Sequence, residues 1–280
     1  MSQTILLEVT DGIAVVTLNR PDKLNAFADD MREQLIATLD AVGSRVDVRV
    51  LVITGAGEGF CSGGDVQHMV GLKNAKAPFS SLEPLLDAGR GILVRLAAFE
   101  IPVIAAVNGV AAGAGCNLAL AADVRVASAE ARFSESFVRI GLHVDWAGAH
   151  HLPRLVGTAN ALDLCWTGKL IGAEDALRLG LVQRVWPAVE FAEGWRAYAR
   201  QLADGPQTSV RATKRTLRAS LTRTLAQNMD AEGAAQAACW ASEDSDEGLA
   251  AFVEKRAARF AGFALTEAAR PPSAAARRFE

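Results

Sequence analysis

Cysteine is scarce in this 280-residue chain, and the few present stand far apart. Cys61, Cys116, Cys165 and Cys239 contain no C-x-x-C pair, which argues against a disulfide frame or a zinc site and fits buried thiols in a reducing compartment. Excess charge is lacking too. Against 32 acidic side chains stand 29 basic ones, a net −3, so neither nucleic acid nor an anionic membrane is an expected partner. No leader is expected either, because "MSQTILLEVTDG" has no basic start and no long apolar stretch. One charge-free run, residues 101–122, imitates a membrane span. Its Pro102, Asn108, Asn117 and abundant Ala and Gly fit a strand, a turn and a helix better. The expected setting is the cytoplasm.

Phosphate-cradling loops are missing as well. A dinucleotide turn needs G-x-G-x-x-G/A, yet Gly55 and Gly57 are followed by Phe60, and Gly113 and Gly115 by Leu118. No G-x-x-x-x-G-K-[ST] run exists. A redox enzyme built on a nucleotide is therefore the least favoured reading.

What the chain does contain is alternation. "TILLEV" and "IAVVTLN" flank Asp11-Gly12, a tight-turn signal, and read as a hairpin. Met31, Leu35, Ile36, Leu39 and Val42 recur at helical spacing. "VRVLVITG" (48–55) and "IPVIAAVNG" (101–109) are nearly continuous apolar runs, as strands buried on both faces should be. Strands are also expected near 123–127 and 132–138, and at 181–186. Residues 1–190 read as an α/β core, 191–262 as a helical region, and 263–280 as a low-complexity tail. Two small-residue loops, "GEGFCSGGD" and "NGVAAGAG", follow the buried strands, where α/β sheets gather ligands. Unpaired N–H groups at such turns can grip an oxyanion. The same glycines also suit close helix–strand packing, and spacing alone leaves both readings open.

Five segments, "VVTLNRPDKLNAF" (15–27), "GFCSGGDV" (59–66), "IPVIAAVNGVAAGAGCNLALAADVRVA" (101–127), "GLVQRVWP" (180–187) and "EGLAAFVEKRAARF" (247–260), carry a resemblance that runs from about residue 5 to 260. In their order and spacing the chain resembles the crotonase (enoyl-CoA hydratase/isomerase) superfamily. The resemblance implies a spiral of ββα units with a helical C-terminal region, assembly as a homotrimer or dimer of trimers, and a coenzyme A thioester as substrate. It implies no metal and no cofactor beyond the coenzyme A that the substrate carries. By motif position, the N–H groups of Gly64 and Ala114 would form an oxyanion hole. Lys23, Leu24, Ser62, Asp65, Val66 and Gln67 would contact substrate or coenzyme A, with Phe252 and Lys255 reaching the coenzyme A of a neighbouring subunit.

Family hydratases place two carboxyl groups where this chain has Asn117 and Phe137. Both are lost, so two-glutamate hydration is not expected. In the family's isomerases the acid lies in a "GLVPDxGG"-like loop, and "GLHVDWAG" (141–148) puts Asp145 there, with Ala147 in place of a glycine. Two readings of Asp145 stand side by side: a proton shuttle desolvated by Trp146, or the N-cap of the following helix. Glu135 would share a strand face with Phe137 if 132–138 is extended. His143, His150 and His151 read as packing or surface residues rather than metal ligands. The expected activity is enoyl-CoA isomerisation. The alternatives are hydration by a single acid and an acyl-CoA-binding protein of little catalytic power.

Overall fold

The computed structural model describes residues 3–28 and 30–260. In the first of two compact units, up to Ala203, the chain runs β1 (Ile5–Thr10), β2 (Ile13–Leu18), α1 (Met31–Gly43), β3 (Val50–Gly55), β4 (Gly59–Cys61), α2 (Val66–Asn74), α3 (Glu83–Ala98), β5 (Val103–Val107), β6 (Val110–Ala112) and α4 (Ala114–Leu120). It continues through β7 (Val124–Ser128), β8 (Arg132–Ser134), α5 (Gly148–Val156), α6 (Thr158–Thr167), β9 (Ile171–Gly172), α7 (Ala173–Arg178), β10 (Arg184–Trp186) and α8 (Ala188–Ala203).

Two sheets take these strands in turn. A six-stranded sheet has the order β1-β2-β3-β5-β7-β10, and only its first pair is antiparallel. A smaller sheet, β4-β6-β8-β9, is parallel except for its last pair. Each long strand (β3, β5, β7) is therefore followed at once by a short one (β4, β6, β8) in the other sheet, and then by turns and helix. This is a spiral of ββα units. Because β4, β6 and β8 run parallel and adjacent, the loops after all three leave at one edge. That edge is where the site forms.

Continuous apolar strands are used on both faces. Leu51, Ile53, Val103 and Ala105 join the core shared with α1, α3 and α4, while Val50, Val52, Ile104 and Ala106 meet Phe191, Trp195, Ala199 and Ala203 of α8. This second contact moves the boundary expected at 190/191. With apolar residues spaced four apart along its buried face, α8 covers the large sheet, and the first unit ends at Ala203.

From Asp204 a second unit holds α9 (Gln207–Ser220), α10 (Leu225–Trp240) and α11 (Glu243–Glu254), with α10 packed on both neighbours. A capping box between Thr224 and Gln227 starts α10. The tail at 263–280 lies outside the described residues. Among the described residues no helix is long and apolar enough to cross a membrane.

Candidate active site

After β4 the chain turns through Ser62-Gly63-Gly64-Asp65 into α2, and after β6 through Gly113 into α4. The first loop is fixed by backbone bonds. Phe27 N donates to Gly63 O (2.7 Å), Asp65 N to Phe27 O (3.1 Å), and Ser62 N to Leu24 O (2.9 Å). The Asp65 carboxylate caps α2 by accepting from Gln67 N at 3.0 Å. Gly63 sits at φ +100°, and a Cβ there would lie 2.8 Å from Ala112 O and 3.5 Å from Ala114 N. Glycine is required by both the backbone angle and the closeness of the second loop. Neither Gly64 N–H nor Ala114 N–H donates to a backbone acceptor among the described residues. Ala114 is the first residue of its helix, where no intrahelical partner exists.

Gly64 and Ala114 line one cavity of about 640 Å³, and Asp145 lines it with them. Its remaining wall is largely apolar: Phe79, Leu82, Leu85 and Leu86 from segment 67–92, then Ile140 and Leu142.

Asp145 does not cap α5. The N-cap is Ala147, at φ 55°, and no side chain bonds the helix start. One carboxylate oxygen, Oδ1, is fully shielded and has no hydrogen-bond partner. Burial pushes the carboxyl up to about 6, against the opposing pull of Arg32 and His143. Trp146 lines the same cavity, its ring 4.7 Å from that of Phe27 and close over Gly89 of α3. Trp146 and Ala147 both adopt positive φ, 48° and 55°. Each such residue costs about 1–3 kcal/mol and persists only where its surroundings hold it. Here the ring contacts hold one, and bonds from Asn117 Nδ2 (2.8 Å) and Gly148 N (2.9 Å) to the Asp145 carbonyl hold the turn.

Asn117 is fully buried and links that carbonyl to Glu135, whose Oε2 accepts from Asn117 Nδ2 at 3.3 Å. The expectation of an extended 132–138 fails here. β8 ends at Ser134, Glu135 leaves strand geometry (φ −86°, ψ 66°), and Ser136–Ile140 form a 3-10 turn. Glu135 and Phe137 therefore share no strand face. Phe137 lines the large cavity and a neighbouring one of about 410 Å³, whereas Glu135 lines only the latter. At 2% exposure, Glu135 is pushed up to about 7 by burial, and bonds from Cys116 and Asn117 only partly offset this. Its unfolded counterpart ionises at the ordinary value of 4.5, so stability falls as pH rises from 4.5 to 7. Glu135→Gln removes that penalty. We expect urea melts to show up to about 3 kcal/mol of stabilisation at pH 8 and almost none at pH 4.

Of the other residues singled out by sequence, Ser62, Asp65 and Val66 line the large cavity, and Gln67 lies on α2 outside its lining. Lys23 and Leu24 are exposed beside it through Ser62, whose hydroxyl reaches Lys23 O at 3.3 Å. In the second unit Phe252 is exposed on α11, and Lys255 ends that helix at φ 53°. Cys61 and Cys116 are buried thiols pushed upward by burial, Cys61 to about 12, so neither is a ready nucleophile. Among the described residues no group of three His, Cys, Asp or Glu could hold a metal. Sequence reasoning missed Arg32, a buried cation on the cavity wall. Its signal was a charge one turn ahead of Leu35 and Ile36 on a helix whose other inward positions are apolar.

A ββα spiral whose two adjacent small-residue loops line one cavity with a shielded carboxylate is the arrangement of a crotonase-fold enzyme. The chain belongs to the Enoyl-CoA hydratase/isomerase family, which it matches over residues 8–263. It is 42% identical to a Rhodobacter capsulatus protein named "Probable enoyl-CoA hydratase" over 92% of this chain and 98% of that one. It is 37% identical to the 1,2-epoxyphenylacetyl-CoA isomerase of Escherichia coli, over 94% of this chain and all of the relative. Among solved structures, an enoyl-CoA hydratase from Bacillus anthracis superposes with a TM-score of 0.86 at 29% identity, covering 92% of this chain and 99% of that one.

Proposed function

We propose that the protein is an enoyl-CoA isomerase with Asp145 as its proton shuttle and the amides of Gly64 and Ala114 as its oxyanion hole. The observation that carries this reading is the acid inventory. By the family resemblance Asn117 and Phe137 occupy the two hydratase acid positions, Asp65 is committed to its helix cap, and Asp145 is the other carboxylate on the cavity wall among the described residues. At pH 7 a carboxyl titrating near 6 is mostly ionised, yet more basic than an ordinary aspartate. The carboxylate removes a proton from the acyl carbon next to the thioester or from the one beyond the double bond. Negative charge passes to the thioester oxygen, where the two amides stabilise it. Asp145 then returns the proton to the other end of the allylic system. Each proton lost by carbon is gained by Asp145, and no water is consumed.

Hydration by the same carboxylate is the second reading, favoured by the hydratase name of the Rhodobacter capsulatus relative. We also assign self-association to the second unit, where Leu217, Leu221, Leu225, Trp240 and Phe252 are exposed. Incubation with 2-enoyl-CoA and 3-enoyl-CoA in deuterated water separates isomerase from hydratase. Isomerisation moves the double bond without adding the mass of water, and deuterium reaches carbon only as far as the proton held by Asp145 exchanges with solvent before its return. Water addition to 2-enoyl-CoA with no bond migration would overturn the isomerase reading.

A further inference from the structure

Arg32, the second residue of α1, keeps only 6% of its surface exposed and lines the large cavity. Its guanidinium carbon lies 5.3 Å from the centroid of the Phe27 ring. A guanidinium carries five N–H donors, and burying one without acceptors is costly. Yet among the described residues no acceptor is in hydrogen-bond range, and Nε is wholly shielded with no partner. Burial holds its pKa below the usual arginine value, and Glu33, Asp145 and Asp65 oppose this only through space. Nη2 stands 3.8 Å from the point where a side chain on Gly64 would begin. The cation is therefore beside Gly64, whose amide is assigned to the thioester oxygen, and within reach of the first carbons of an acyl chain held there. Much of the wall is aliphatic or aromatic, with Ser62, Asp65, His68, Ser136, His143 and Asp145 as its other polar side chains, so a buried guanidinium without an acceptor among the described residues selects a feature of the ligand.

We propose that Arg32 is a specificity residue that donates hydrogen bonds to an uncharged oxygen (hydroxyl, ether or keto) on the acyl carbons adjoining the thioester, making oxygenated acyl-CoA thioesters the preferred ligands. The inference rests on the acyl-CoA reading above. An uncharged oxygen is favoured over a carboxylate because Glu33, Asp145 and Asp65 already set three negative charges near this cation. A fourth would face them at close range.

Calorimetric titration of the intact protein with butanoyl-CoA, 2-hydroxybutanoyl-CoA, 3-hydroxybutanoyl-CoA and glutaryl-CoA tests this. One of the hydroxylated ligands is expected to bind about tenfold tighter than butanoyl-CoA, the scale of a hydrogen bond to a charged group. In Arg32→Met that preference disappears while butanoyl-CoA affinity stays within about threefold. Arg32→Lys, which keeps the charge without the planar fork, retains part of it. An unchanged preference in Arg32→Met, an equal loss for every ligand, or a larger gain for glutaryl-CoA overturns the proposal. Failure of wild-type protein to bind butanoyl-CoA at all overturns the acyl-CoA reading itself, and the proposal with it.

Discussion

Asp145→Asn is expected to lower kcat by about 10²–10⁴, the usual contribution of a positioned acid–base group, while acyl-CoA affinity changes little. Asparagine is nearly isosteric, and the bonds that hold this turn are made to the backbone carbonyl of residue 145, so the loop survives the change. The pH dependence gives a second check. The shuttle must be ionised to take the first proton, and burial has moved its titration from the ordinary 3.8 to about 6. Wild-type kcat/KM should therefore fall as pH drops through 6, and the variant's residual rate should lack that limb. The stability sign runs the other way. A carboxyl whose folded pKa is raised loses stability as pH climbs from 4 to 6, so at pH 7 the amide variant is expected to be at least as resistant to urea as wild type. Loss of activity with undiminished stability marks a functional carboxylate; full turnover by Asp145→Asn removes it from the mechanism.

Much of this architecture is legible in local sequence. The Asp11-Gly12 hairpin needs positive φ at both turn residues, and they have 49° and 79°. Buried runs gave β3 and β5 because strands covered on both faces require apolar side chains throughout. The small sheet is harder to read. Its β4, β6 and β8 are three residues each, too short for any periodicity to register, and their pairing joins distant segments. The strand misread at 132–138 has this origin: Phe133 and Ser134 extend a local pattern that the turn at Glu135 breaks. The place of α8 depends on which surface covers its Phe191 and Trp195, and composition does not encode that. In the site, Gly64, Ala114 and Asp145 were nameable through motifs. The packing beside Asp145 is only partly visible in sequence, since Trp146 is its neighbour there but Phe27 and Gly89, which Trp146 packs on, are not. Arg32 passed unnoticed because a charge near the start of a helix reads as exposed until its cavity is known.

Replacing Ala114 by proline isolates the other half of the proposed chemistry. Proline at the first position of a helix loses no intrahelical bond, because that N–H has no partner within the helix, and its fixed φ suits the start of α4. The residue before it must tolerate the ring. Gly113, at φ 51° and ψ −123°, occupies the mirror image of the extended region that pre-proline residues favour, which only glycine adopts freely. The substitution thus deletes the N–H of a residue that lines the cavity and puts a ring carbon in its place. We expect kcat to fall by about 10²–10³, the effect of removing a single oxyanion donor, with the pH limb near 6 unchanged because Asp145 is untouched. Ala114→Gly keeps the donor and should stay within a few-fold of wild type. Both variants are to be compared by single-turnover kinetics, which separates chemistry from product release. If proline and glycine at this position behave alike, the amide of residue 114 does not bear the developing charge, and the cavity's two glycine loops serve packing alone.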